Sequence, residues 1–214
     1  MKRIITAAGL SLAASPALAH HPLNGMPMET FAHGVLSGVG HPVLGFDHLF
    51  FVVAMGIAAL FTGRKLLTPA AYIGAMLIGT ALMYAGIAMP IAETVIVLSL
   101  IVLGGIVLSG KALNTTTAIL IFATFGLFHG SAFGGSIGGQ EGGVGGAVLL
   151  GYLIGLGVIQ YVIAIGAGWV VTKLGASDAT AINARLGGAM VAGVGVFLAL
   201  EIVEGPIVAL LAAA

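Results

Sequence analysis

Apolar residues run almost without interruption in six stretches: about Val43 to Thr62, Pro69 to Met89, Glu93 to Ser109, Thr115 to Phe133, Ala147 to Val171 and Leu186 to Leu211. A hydrocarbon core of ~30 Å takes about 20 helical residues, and the stretches have roughly that length. Polar or helix-breaking residues close them: Gly63-Arg64-Lys65, Pro90, Gly110-Lys111, the glycine-rich loop Gly134 to Gly146, and Lys173. The pattern predicts an all-α polytopic membrane bundle of six transmembrane helices. Ahead of the first stretch, Phe31 to Gly40 carries His33 and three glycines. That segment is too short to span, and reads as an interfacial piece or as turns leading into the first span.

The amino terminus has a different pattern. Lys2-Arg3 precede a short apolar run, Ile4 to Ala14, and then Pro16-Ala17-Leu18-Ala19. A basic start, a short apolar core and an A-x-A site predict a cleaved signal peptide over residues 1–19. Residues 20–214 then form a single six-helix domain that opens on His20-His21. A terminal amine with two imidazoles can capture a metal ion, although two solvated terminal histidines need no function.

Composition agrees with the pattern: 59% of residues are hydrophobic and 7% charged, against roughly 25% charged in a soluble domain. The formal net charge is zero, so no basic field favours nucleic acid as a partner. With no cysteine, any metal has to be held by imidazole, carboxylate, backbone oxygen or methionine. The 35 glycines suit close helix contacts in lipid, where packing replaces the hydrophobic drive.

Charge matters by position. With the mature amino terminus outside, Arg64, Lys65, Lys111, Lys173 and Arg185 all fall in inner loops, as the positive-inside rule requires. Both mature termini are then periplasmic. His41, Asp47 and His48 open the first span from the outside, His129 closes the fourth towards it, and Glu141 lies in the loop beyond. Glu201 and Glu204 fall in the outer half of the sixth span. Ionisable groups within the bilayer are expensive, and their gathering at one depth predicts a cation site. His41 and His48 are seven residues apart on one helical face, so they can hold one ion only if the helix bends, for which Pro42 and Gly45 are placed.

Other polar residues carry weaker readings. Glu201 and Glu204, at i, i+3, share a face and suit a relay or second site, or Glu204 is simply interfacial. Gln160 and Tyr161 line a path or tie helices together. Met76, Met83, Met89 and Met190 read as packing. Ser131, two residues after His129, raises a membrane hydrolase, but nothing in the spacing demands a base beside that hydroxyl.

The elements H-P-x-x-G-x-D-H at His41 to His48 and F-H-G-x-A-x-G at Phe128 to Gly134, with the signal peptide and six spans, resemble the HupE/UreJ family of nickel/cobalt permeases. The resemblance implies secondary transport of Ni²⁺ or Co²⁺ as substrate across the bacterial inner membrane, with no permanent cofactor and no enzymatic activity. Carried over by position, it implies His41, Asp47, His48 and His129 as functional residues, with Glu141 less securely. Many relatives have a second histidine where Phe133 stands here. A homo-oligomer and an indirect link to hydrogenase, urease or cobalamin assembly remain open. The competing expectation is a membrane protein that binds metal without moving it, as a sensor or assembly scaffold.

Overall fold

The computed structural model describes residues 27–138 and 144–212. The expected signal peptide, His20, His21 and Glu141 lie outside the described residues. The elements run α1 (Phe31–Leu44), α2 (Phe46–Leu60), α3 (Leu67–Tyr84), α4 (Ala92–Leu108), α5 (Thr115–Gly138), α6 (Gly146–Lys173) and α7 (Ile182–Ala212). Four of them, α3, α5, α6 and α7, are long and apolar enough to cross a membrane, and α1 with α2 makes a fifth candidate as a bent pair. The remaining expected span corresponds to α4, an apolar helix of 17 residues, which rises about 26 Å.

The first span differs from the single run expected from Val43. Thr30 starts α1 by accepting the His33 N–H on its hydroxyl at 3.1 Å, and the segment read as too short to span is a helix of 14 residues. The chain then turns by 79° between α1 and α2. At the turn Gly45 has left the helical region, with φ −83° and ψ 100°. Its N–H still reaches the His41 carbonyl at 2.9 Å, and its own carbonyl receives the Leu49 N–H at 2.9 Å. A Cβ at Gly45 would lie 2.9 Å from the His48 ring and 3.1 Å from the His41 carbonyl oxygen. A side chain there would have to push the His48 ring aside. Pro42 lies inside α1 and is buried.

Glycines set the helix crossings. A Cβ at Gly79 would come within 2.2 Å of the Leu127 carbonyl oxygen, and one at Gly130 within 2.1 Å of that of Met76, so α3 and α5 run backbone against backbone. Gly34 and Gly38 of α1 meet Val148 and Tyr152 of α6 in the same way, and Gly104 of α4 meets Ala192 of α7. Between these contacts Phe51, Met55, Tyr72, Leu100, Phe122, Phe133 and Tyr152 fill the core. The outer faces are apolar too, with Ile78, Leu120, Trp169, Leu186 and Phe197 exposed. Helices apolar on both faces suit a bundle whose solvent is lipid.

The loops that carry fixed positive charge gather at one end. The Arg185 guanidinium donates to the Leu108 carbonyl at 2.9 Å, and Gly63 lies beside Thr115. Gly175, at φ 95°, closes α6 in a left-handed turn in which the Ala176 N–H reaches the Val171 carbonyl at 3.1 Å. Asp178 follows, accepting from the Thr180 hydroxyl and N–H and from Ser177. Those donors, led by the Thr180 hydroxyl, hold its carboxyl below the usual carboxylate range.

Candidate metal centre

At the opposite end from the basic loops, a cavity of about 680 Å³ opens between α1, α2, α4, α5 and α7. His41, Asp47, His48, Glu93, Ser136 and Glu201 supply its polar lining, and Ile96, Val97 and Leu198 much of its apolar wall. The turn at Gly45 aims the carboxyl end of α1 and the amino end of α2 into one space. His41 and His48 therefore face each other across it, with ring centroids 5.8 Å apart. The Asp47 carboxylate lies 3.8 Å from Nε2 of His48 and is about one-third exposed.

Each cavity histidine is anchored from behind. The Ser99 hydroxyl donates to the Ile96 carbonyl at 2.6 Å, so its oxygen is left to accept from Nε2 of His129 at 3.1 Å. Neutral His129 then has its lone pair on Nδ1, which receives the Nδ1–H of His48 at 2.9 Å. This chain of donors places the His48 lone pair on Nε2, the nitrogen beside Asp47. On the other wall, the Ser136 and Tyr152 hydroxyls both donate to the Phe133 carbonyl, at 2.8 and 3.0 Å. Each also lies 3.2 Å from Nδ1 of His41, and the two hydroxyls lie 3.0 Å from one another. A hydrogen bond through the rear nitrogen is how proteins orient an imidazole for a cation.

His129 is thus fully buried with both ring nitrogens committed, one to Ser99 and one to His48. Aromatic rings enclose it and its neighbour: Phe51 lies 4.4 Å from the His129 ring, and Phe133 lies 4.2 Å from His48 and 5.1 Å from His41. Among the described residues, no group of three or more His, Asp or Glu side chains converges closely enough to hold one ion. A water in liquid occupies about 30 Å³, so the cavity has room for a hydrated divalent cation.

The other sequence candidates are dispersed. His33 sits in the first turn of α1, where its Nδ1 accepts the Glu29 N–H at 3.3 Å, and it does not line the cavity. Glu201 lines the mouth of the cavity, whereas Glu204 is exposed outside it. Gln160 lies deeper, fully buried, accepting the Tyr72 hydroxyl at 2.9 Å and donating to the Leu156 carbonyl at 3.2 Å. Its amide also lies 3.8 Å from the Met76 sulfur. Tyr161 donates to the Leu66 carbonyl at 3.2 Å, well away from the cavity. The Ser131 hydroxyl accepts the Met89 N–H at 3.1 Å and so fastens the α3–α4 loop; its neighbour His129 bonds elsewhere. Sequence reasoning passed over Ser99, Ser136, Tyr152 and Glu93. The first three are polar atoms in apolar helices, a signal that gains meaning only once a partner helix is known.

The HupE / UreJ protein family matches the chain over residues 8–198. "Protein HupE" of Rhizobium leguminosarum bv. viciae is 34% identical over 127 residues, a stretch that spans 58% of this chain and 64% of that relative. The match thus covers a little under two thirds of the relative's length. No solved structure matches the chain. The family match takes in every described helix except the last part of α7, and on that evidence this chain belongs to the HupE/UreJ family.

Proposed function

We propose that this protein is a permease that moves Ni²⁺ or Co²⁺ across the bacterial inner membrane, with α4 counted as the sixth crossing and both mature termini periplasmic. The observation that carries the reading is the cavity itself. Two imidazoles, each hydrogen-bonded through Nδ1, border a space beside the Asp47 carboxylate, at the end of the bundle away from Arg64, Lys65, Lys111, Lys173 and Arg185. Neutral imidazole with carboxylate suits late first-row divalent ions. His41, Asp47 and His48 bind the ion, which keeps part of its hydration shell, and the rings close on it. His129 holds the His48 tautomer. Glu93 and Glu201 draw the cation to the mouth, with Glu204 beyond it on the same helix, while Glu141, His20 and His21 are further donors on the same side. Gln160, with Tyr72, marks the buried polar station deeper in the bundle along the ion's path. With no nucleotide-binding motif in the sequence, this reading couples transport to a proton or ion gradient, unless a partner protein supplies ATP hydrolysis.

A second reading has its own support. Below the cavity Phe51, Met55 and Tyr72 are fully buried, a packed floor that suits a protein that binds metal without passing it. Uptake of radiolabelled nickel and cobalt into proteoliposomes separates the two. A permease accumulates ion, and does so poorly as His48→Ala or Asp47→Ala. Binding to the purified protein with no flux would favour the sensor or scaffold.

A further inference from the structure

A second cavity, of about 300 Å³, lies at the basic end of the bundle, far from the histidines. Its floor is where α2 and α6 cross most closely: a Cβ on Gly56 would fall 2.1 Å from the Ala164 carbonyl oxygen. Its walls are Leu60, Leu66, Ala164, Gly168 and Trp169, and the side chain of Lys65 stands at its rim. The wall is held in place. The Tyr161 hydroxyl donates to the Leu66 carbonyl at 3.2 Å, and that of Thr172 to the Gly168 carbonyl at 2.8 Å.

Two features say what this groove takes. Trp169 is 61% exposed with the Lys173 ammonium 5.8 Å above its ring, the arrangement of an aromatic side chain at a membrane–water boundary. Among the described residues, neither Lys65 nor Lys173 is paired with a carboxylate. Exposed apolar surface flanked by two uncompensated ammonium groups is complementary to a molecule with an acyl chain and a negative headgroup.

We infer that the groove between α2 and α6 is a binding site for one anionic phospholipid, its chain lying over Gly56, Ala164 and Gly168 and its phosphate between Lys65 and Lys173. The lipid covers the edge of the close α2–α6 crossing and braces the α2 backbone, whose other end carries Asp47 and His48. This site stands whether or not the protein transports metal.

The chain has a single tryptophan, so Trp169 reports its own neighbourhood. The full protein is reconstituted in vesicles of phosphatidylcholine in which a fixed fraction of lipid is brominated, as either phosphatidylglycerol or phosphatidylcholine, and fluorescence quenching is compared. The parent should associate with the brominated phosphatidylglycerol several-fold more strongly, since a lysine near the surface is worth about fivefold. In Lys65→Gln the preference should shrink, and in Lys65→Gln/Lys173→Gln it should vanish, each compared with its own unquenched emission. Lys65→Arg should keep it. Equal quenching by the two lipids in the parent, or a preference unchanged in the double variant, overturns the inference. Failure of either lipid to quench also overturns it, because the groove is then covered by something else, such as a second copy of the chain.

Discussion

Nδ1 of His48 lies 2.9 Å from Nδ1 of His129, and the two nitrogens share a single proton whose place is decided by a serine on a third helix. The Ser99 hydroxyl gives its own hydrogen to the Ile96 carbonyl. It can therefore only accept from His129, and that direction passes down the chain to His48. The chemistry of the cavity wall is set by a residue that never touches the cavity.

Ser99→Ala should leave the His129 Nε2–H buried without an acceptor, at a cost of about 1–3 kcal/mol in stability. Loss of an orienting partner typically lowers metal affinity roughly 10- to 100-fold. Calorimetric titration of nickel into protein in nanodiscs measures the affinity. The ¹⁵N shifts of the imidazoles give the tautomer, which should become mixed at His48 in the variant and remain single in the parent. A parent-like tautomer together with weakened binding would place the effect of Ser99 elsewhere.

Asp47→Asn keeps the size of the side chain and removes its charge beside Nε2 of His48. Uptake should fall at least tenfold at low ion concentration and recover in part at high concentration, since the imidazoles remain. Initial rates of ⁶³Ni uptake over a concentration series check this.

Phe133 fills the space between the two cavity imidazoles. Phe133→Ala should destabilise the protein by about 3–5 kcal/mol through the void it leaves, visible as a lowered melting temperature. Phe133→His puts a third imidazole where the ring now packs. Equilibrium nickel binding should tighten while turnover falls, because a deeper well releases its ion more slowly.

Two glycines of α6 and its neighbour differ in what surrounds them. Gly56→Ala drives a methyl group to about 2.1 Å from the Ala164 carbonyl oxygen, whereas a Cβ at Gly166 meets nothing within 4 Å. The first substitution should abolish a stable bundle. The second should leave it unchanged or better by about 0.5–1 kcal/mol, the helical advantage of alanine over glycine. Size-exclusion profiles and melting temperatures of the two variants, expressed side by side, distinguish them.

Asp178 offers a test by pH at the basic end. Hydrogen bonds from Thr180 and Ser177 favour its charged form and hold its folded-state value below the ordinary 3.8. A depressed carboxylate contributes stability that is fully present above the unfolded value and is lost as pH falls through the folded one. Asp178→Ala should therefore melt lower than the parent at neutral pH, with the gap closing below about pH 4. A gap that persists into strong acid would mean that charge at this turn is irrelevant.

Much of the site's location could be read from residue order alone. Apolar runs separated by Arg64, Lys65, Lys111 and Lys173 define which helix ends share a side, and that arithmetic places His41, Asp47, His48 and His129 together. Gly45 and Pro42 were legible as candidates for a bend, though not which of the two makes it. The chain leaves the helical region at Gly45, while Pro42 stays inside α1. Hidden from the sequence was the division of labour among the histidines. His129 reads like a ligand until Ser99 and His48 are seen on its two nitrogens. Tyr152 reads like any aromatic near a helix start until α1 is found packed on α6 at Gly34 and Gly38. His33 shows the reverse: an imidazole in a glycine-rich stretch whose ring accepts a backbone N–H at a helix start.

The 79° joint at Gly45 also sets a length. His41 rides on one arm and His48 on the other, so the gap between their rings is a function of that one angle, as the opening of a pair of callipers is a function of its pivot. An ion that draws the rings together must tilt α1 against α2. Because α1 is packed along α6 at Gly34 and Gly38, that tilt is felt along the longest contact the first arm has. Grip on the ion and the posture of the bundle are then one coordinate, measured at a residue that bears no side chain.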